Sequence, residues 1–367
     1  MLVKNELITL VAQRLKHFDD ISVNRQDFIG VTEEAAEKKG FFLRDFGMKQ
    51  WDWPQGVGIF GLHLQGAQND DYIKKWAAEE INKGLPTKNI NTVCPLLTLM
   101  DYPEYEQLAL EWMNWIEKDF PRTDENGLQH ITSGPDKFTV KENDQQIWVD
   151  SIFMTVLFMA KMGVKYDNPK WQDDALYQVL LHVKYLLDRE TGLFYHGWNF
   201  TENSNYGGNF WCRGNSWLTL GIPLFLEIME GKLPEAVMKY LKEIYNCQVE
   251  TLRKLRAEDG LWHTIITDEN CYTETSGSAG IVAGILLGNQ RGLLDNPVSQ
   301  NEATDLVTAL EQRITEDGTV TGVSAGTAIS PNKEDYKHII QTPMVYGQAM
   351  MLLALTLAQS MKVETVV

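Results

Sequence analysis

Apolar residues along this chain recur every three or four positions over long stretches, and strict apolar–polar alternation is sparse. A 3.6-residue period puts the apolar side chains on one face of a helix, whereas alternation would mark a strand. Over 101–118 the stripe is Tyr105, Leu108, Trp112 and Trp115; over 170–188 it is Trp171, Ala175, Val179, Val183 and Leu186. Segments 234–256 and 300–315 behave in the same way. Between these amphipathic helices lie segments apolar nearly all round, such as Ile152 to Met162 and Ile281 to Leu287. A helix apolar on every side is buried.

The amphipathic stretches end on related signals: Glu125-Asn126-Gly127-Leu128, Glu190-Thr191-Gly192-Leu193, Glu258-Asp259-Gly260-Leu261 and Glu316-Asp317-Gly318-Thr319, with a weaker copy at Asn82-Lys83-Gly84-Leu85. Glycine just past a helix is the usual left-handed cap, so each signal reads as a helix stop. The glycines fall 43, 65, 68 and 58 residues apart, which suggests a repeated two-helix unit. Each buried helix opens on unusual polar or aromatic residues. The six starts are Trp53-Pro54-Gln55-Gly56, Asn91-Thr92-Val93-Cys94-Pro95, Trp148-Val149-Asp150-Ser151, Trp211-Cys212-Arg213-Gly214-Asn215, Glu274-Thr275-Ser276-Gly277-Ser278 and Tyr346-Gly347-Gln348. Six hairpins, each with a buried inner helix and an amphipathic outer one, describe an all-α (α/α)6 barrel, expected as a single domain over residues 1–367. An open α-solenoid is the alternative. Closure is favoured because chemical residues recur at equivalent starts, as a shared funnel requires. Helix N-termini ringing one pocket would hold unpaired N–H groups and attract anions.

Composition narrows the function. The charge is 33 − 50 = −17 over 367 residues, which excludes nucleic acid and an anionic membrane surface as partners. An acidic substrate would be repelled by the global field, so a local cation such as Arg213 must compensate. Cysteines at 94, 212, 247 and 271 match neither a zinc knuckle nor a disulfide framework. Residues Met1 to Leu7 lack a basic segment followed by an apolar one, and no run of 18 apolar residues exists, so the cytoplasm is the expected location. There is no HExxH, no paired His at helical spacing, no EF-hand loop, no phosphate loop and no nucleophile elbow, so neither metal nor cofactor is expected.

Five positions are candidates for chemistry. Asp150 stands among apolar neighbours in Ile147-Trp148-Val149-Asp150-Ser151-Ile152. It reads either as a helix N-cap or as a general acid whose pKa the apolar wall raises. Arg213, between Trp211 and Trp217, reads as a carboxylate-binding guanidinium ahead of a buried ion pair. His196 is either a loop-stabilising residue or a donor to a sugar hydroxyl or carboxylate; His263, in the similar place after Gly260, reads as structural. Glu274 reads as a helix-start cap.

The segments Trp53-Pro54-Gln55-Gly56-Val57, Trp148-Val149-Asp150, Leu193-Phe194-Tyr195-His196-Gly197-Trp198, Phe210-Trp211-Cys212-Arg213 with Trp217, and Glu274-Thr275-Ser276-Gly277-Ser278, in this order, resemble glycoside hydrolase family 105, the unsaturated rhamnogalacturonyl hydrolases, and its relative family 88, the unsaturated glucuronyl hydrolases. The resemblance runs from about Trp51 to the C-terminal apolar helix. It implies an (α/α)6 barrel, no metal, and removal of a 4,5-unsaturated uronic acid from a small lyase-generated oligosaccharide by hydration of its enol ether. It assigns proton transfer to Asp150 and substrate binding to His196 and Arg213, with Trp53, Trp211 and Trp217 around the subsite. Where the family commonly has a second Asp, this chain has Asn91, which binds but cannot titrate, against a two-carboxylate mechanism. Three rival functions remain: a sugar epimerase or isomerase on the same barrel, which needs two facing histidines; a non-catalytic oligosaccharide-binding protein; and an inverting glycosidase using Glu274 as its second carboxylate.

Overall fold

A computed structural model describes residues 3–18 and 47–361. In chain order the helices are α1 (Asn5–Lys16), α2 (Trp53–His63), α3 (Asp70–Asn82), α4 (Ile90–Val93), α5 (Leu96–Leu99) and α6 (Glu106–Lys118). They continue with α7 (Leu157–Lys165), α8 (Pro169–Leu186), α9 (Cys212–Ile228), α10 (Glu235–Lys254), α11 (Thr275–Gln290), α12 (Gln300–Glu311), α13 (Lys333–Lys337) and α14 (Val345–Ser360). The inner wall consists of α2, the α4–α5 pair, α7, α9, α11 and α14, each packed on the next, and α14 packs back on α2. The ring therefore closes, and the (α/α)6 barrel replaces the open solenoid. The outer helices α1, α3, α6, α8, α10 and α12 lie against it with one face buried.

Inner helices bury every side chain over most of their length: Thr275 to Gly288 in α11, Cys212 to Phe225 in α9 and Val345 to Leu355 in α14. Their small residues set how closely they approach. A Cβ on Gly277 would lie 2.6 Å from the Arg213 amide nitrogen, and one on Gly284 would overlap the Thr219 carbonyl. Backbone meets backbone across α9 and α11, which holds their N-terminal residues in strict register.

The structure corrects two local expectations. Only Gly84 caps a helix as expected, one residue beyond the C-cap Lys83 of α3. The other stop signals lie well past the ends of α6, α8, α10 and α12, inside a recurring tight turn. In three copies one backbone pattern returns: Thr123 N–H to Gly127 O with Asn126 N–H to Thr123 O, Ala257 to Leu261 with Gly260 to Ala257, and Thr315 to Thr319 with Gly318 to Thr315. The left-handed residue of each is Asn126 (φ 58°), Gly260 (φ 83°) and Gly318 (φ 83°). The repeat is real, but its glycine is a turn residue, and at Asn126–Gly127 the asparagine takes the left-handed role. The second inner helix is broken into α4 and α5 at Cys94–Pro95, because proline supplies no amide hydrogen to continue the ladder.

Two short ladders interrupt the helices. Strand β1 (Thr132–Ser133) pairs with β2 (Val140–Lys141), and β3 (Gln146–Trp148) pairs with β4 (Gly197–Asn199), both antiparallel.

Gly284→Ala should force α9 and α11 apart, since the new methyl meets backbone that cannot rotate away. The expected cost is about 1–3 kcal/mol, read as a lower thermal melting midpoint.

Candidate active site

The β3–β4 ladder builds the centre of the site. Its register pairs Trp148 with Gly197, and the next bond runs from Val149 N–H to His196 O at 3.0 Å. That pairing sets Asp150, at the start of the third inner helix, beside His196. Gly197 has to be glycine here: a Cβ would lie 2.9 Å from the Ile147 carbonyl oxygen. Asn215 in α9 fixes the strand from behind, accepting from Phe194 N–H at 2.8 Å and donating to its carbonyl at 2.9 Å. Past Asp150 the helix opens with a π turn, Ile152–Val156, before α7.

Asp150 does not cap this helix. Its Oδ1 accepts from Trp217 Nε1–H at 3.0 Å, and its Oδ2 is buried with no hydrogen-bond partner among the described residues. Its carboxyl lies at the wall of a cavity of about 470 Å³ and keeps 17% of its side-chain surface. Burial pushes its pKa up to about 6, against the opposing pull of the Arg213 charge and the Trp217 hydrogen bond. The apolar wall thus lets this acid hold its proton up to about pH 6, well above the range of an ordinary aspartate.

The cavity brings together Trp53, Asn91, Asp150, Trp211 and Arg213 from the starts of four inner helices. Trp53 stacks on Tyr346 at 4.6 Å between ring centroids. The Asn91 amide group has no hydrogen-bond partner among the described residues and faces the cavity. Asp150 is the sole carboxylic acid in this lining among the described residues. Glu274 lies fully buried elsewhere, capping α11 through Ser276 N–H and Gly277 N–H. A larger, more open cleft of about 760 Å³ runs along Lys254, Arg256 and Thr273, but its Asp259 is committed to Arg313 and Thr273.

Three of the expected binding residues lie differently from a free position in the cavity. Trp217 is fully buried, lies outside the cavity lining among the described residues, and donates its Nε1–H to Asp150. His196 keeps 2% of its surface and stands behind Asp150, its Nε2 3.7 Å from Oδ2. Arg213 lines the cavity, but its two terminal nitrogens already donate to Ser276 Oγ, Ser324 O and Oγ, Ala325 O and Thr327 Oγ1. Its planar faces are covered by Trp211 at 4.6 Å and Tyr346 at 4.8 Å. With the fork occupied it cannot grip a carboxylate in bidentate fashion; it supplies charge and holds the 324–327 segment in place.

Two lining residues escaped the sequence reading. His130 stacks on Trp148 at 4.4 Å, bonds Ser151 Oγ through Nδ1 at 2.9 Å and leaves Nε2 open to the cavity. Burial lowers its pKa to about 3, so the ring is neutral. Its signal was available, since a histidine follows the turn glycine in three repeats, as His130, His196 and His263. Lys141, on β2, is a cation of the lining with no ion pair among the described residues. Nothing in its own segment distinguishes it from a surface lysine; only the hairpin puts it at the cavity.

A closed ring of helical hairpins whose open end holds one poised carboxyl between tryptophans is the plan of an α/α-barrel carbohydrate enzyme. A model of the family described as Glycosyl Hydrolase Family 88 matches residues 32–362, and the chain belongs to that family. The unsaturated rhamnogalacturonyl hydrolase YesR of Bacillus subtilis is 32% identical over 312 residues, spanning 82% of this chain and 86% of that protein. A crystal structure described as a possible member of the GH105 family, from Salmonella enterica serovar Paratyphi A, superposes with a TM-score of 0.83. It is 34% identical and covers 97% of this chain and 94% of its own. Another possible GH105 member, from Klebsiella pneumoniae, gives 0.82 at 33% identity, covering 97% and 93%.

Asp150→Asn provides a stability test of this electrostatic picture. A folded carboxyl titrating near pH 6 holds its proton more tightly than an unfolded one near 3.8. Its contribution to folding is therefore full below the unfolded value and lost as pH rises through about 6. The neutral amide should melt higher than wild type above that pH, by on the order of 2–3 kcal/mol, with the gap closing in acid. Melting curves across the pH range check this.

Proposed function

We propose that this protein removes a 4,5-unsaturated uronic acid from the non-reducing end of lyase-generated oligosaccharides, by adding water to the enol ether. The observation that carries the reading is Asp150, the one carboxylic acid of the cavity lining among the described residues, raised to about 6 and with one oxygen unpartnered among them. Asp150 donates its proton to carbon 4, leaving positive charge shared between carbon 5 and the ring oxygen. The carboxylate then takes a proton from the water that adds to carbon 5. The resulting hemiketal opens to a ketone, carbon 1 becomes a hemiacetal bearing the aglycone, and that hemiacetal releases the next sugar. One carboxyl serves both steps, first as acid and then as base. The name of the Bacillus subtilis relative, an unsaturated rhamnogalacturonyl hydrolase, supports a pectin-derived substrate.

In this reading Trp53 and Trp211 face the sugar ring, Asn91 and the open Nε2 of His130 meet its hydroxyl or carboxylate oxygens, and Arg213 supplies positive charge. His196 and Trp217 act on Asp150 from behind. Two other readings are disfavoured by specific contacts. An inverting hydrolysis lacks its second carboxylate among the described residues, because Glu274 is spent as a cap. An epimerase lacks facing histidines, because His196 is buried behind Asp150. We take the whole chain, 1–367, as one catalytic domain; the main core cluster, running from Val3 to Ala358, supports this. We also place the enzyme in the cytoplasm, supported by four cysteines that form no disulfide. No helix among the described residues is long and apolar enough to cross a membrane.

The test is incubation with a panel of unsaturated disaccharides, following loss of the enol-ether absorbance. Asp150→Asn, folded by its melting curve, should lose about 10²–10⁴ in rate or more, since one group serves two proton transfers. Retention of more than about a tenth of wild-type rate would remove Asp150 from the chemistry. Wild-type activity should fall as pH rises through about 6, because the reaction starts from the protonated acid. Trp217→Phe should move that limb upward, since it removes a hydrogen bond that favours the carboxylate.

A further inference from the structure

Two polar atoms at the centre of the site are buried without partners among the described residues: Asp150 Oδ2 and His196 Nε2. They face each other at 3.7 Å, too far for a hydrogen bond and close enough for a small shift to make one. Which of them holds a proton depends on the other side of the imidazole. His196 Nδ1 lies 2.7 Å from the hydroxyl of Tyr336, a residue 140 positions away in the chain.

The hydrogen-bond inventory around Tyr336 decides the tautomer. Its side chain is 1% exposed, and its oxygen accepts from Ser330 N–H at 3.3 Å. A phenol has one proton to donate, and His196 Nδ1 is the acceptor within reach. Were Nδ1 protonated, the buried phenol proton would have nowhere to go. The phenol therefore donates to Nδ1, and the imidazole proton sits on Nε2, facing Asp150. Burial, with the neighbouring His130 ring and the Arg213 charge, keeps the ring neutral, and burial, with Asp150, keeps the Tyr336 phenol protonated. Trp148 and Trp211 pack against the imidazole ring and add no charge.

We infer that Tyr336 is a positioning residue for the proton transfer: it fixes His196 as the Nε2–H tautomer, so that both oxygens of Asp150 face donors. This rests on the reading of Asp150 as the acid and base of the reaction. The carboxylate left after protonation of carbon 4 then keeps the Trp217 Nε1–H bond at Oδ1 and faces the His196 Nε2–H donor at Oδ2, 3.7 Å away, which a small shift would engage. The opposite tautomer would present a lone pair to Oδ2. It would draw the acidic proton toward the imidazole and away from the substrate. Tyr336 touches no substrate; it acts through His196. Its segment also carries Ser324, Ala325 and Thr327, which hold Arg213, so one stretch of chain sets both the acid's partner and the nearby charge.

The experiment has two readouts. Long-range ¹H–¹⁵N correlation on labelled wild-type protein, assigned with His196→Gln, should show His196 neutral with its proton on Nε2. Tyr336→Phe keeps the ring and removes the donor. It should lower kcat roughly tenfold or more, leave KM within about threefold, and move the basic limb of the kcat–pH profile upward, because the Asp150 acid can now bond Nε2. A wild-type Nδ1–H tautomer overturns the inference, even if the variant fails to fold. So does a folded Tyr336→Phe protein with unchanged kcat and pH limb. Absence of wild-type activity on every unsaturated substrate would instead overturn the proposed reaction, while the tautomer measurement still reports on Tyr336.

Discussion

A guanidinium with 1% of its surface exposed must find oxygen atoms for its N–H groups, and meeting that demand organises the open end of this barrel. Arg213 starts α9. Its partners are Ser276 on α11 and Ser324, Ala325 and Thr327 on the segment before α14, with Tyr346 of α14 stacked on one face. Three successive inner helices and one loop are thereby tied to a single charge. Glu274, 3.8 Å away, balances that charge while capping α11 and accepting from Ser324 N–H at 3.0 Å. The same guanidinium restrains Asp150, opposing the rise in pKa that burial imposes. Its absence would leave the acid harder to ionise and the loop without its anchor.

The carboxyl that this charge restrains is held by geometry of a different kind. The Trp148–Gly197 pairing joins the third inner helix to the segment ahead of α9, and the ladder admits no side chain at Gly197. Behind it, small residues bring α9 and α11 into backbone contact. The consequence is a carboxyl whose surroundings cannot relax to solvate it. A rigid, largely apolar wall is what turns an ordinary aspartate into an acid that holds its proton near pH 6. The catalytic reading and the packing of the barrel are two descriptions of one constraint.

What the sequence determined by itself is the periodic part of this protein. The stripe at Tyr105, Leu108, Trp112 and Trp115 and the all-apolar runs after Asp150 and Ser278 assigned outer and inner helices, because burial on a helix repeats every 3.6 residues and needs no knowledge of the partner. The unusual residues at the inner-helix starts were legible for the same reason: they recur at one place in a repeated unit, and Asp150 stood out as a charge with apolar neighbours. Local chemistry also sufficed for Glu274 as a cap. Even the misread glycines were visible as a repeat; whether each ends a helix or bends a turn depends on hydrogen bonds to residues that the local pattern does not specify.

Only the tertiary structure decided which side chains meet, and several assignments turn on that. The family resemblance puts Trp217 and His196 around the substrate, yet both stand behind Asp150. Arg213 looks like a free fork, yet distant oxygens occupy it. His130 and Lys141 reach the cavity through the β1–β2 hairpin and the loop before it, and Tyr336 reaches His196 across 140 residues. The physical reason is common to all of these. Hydrophobic periodicity is a property of neighbours along the chain, whereas the satisfaction of a buried donor or acceptor is a property of neighbours in space. The barrel brings those spatial neighbours together only when its last inner helix closes on its first.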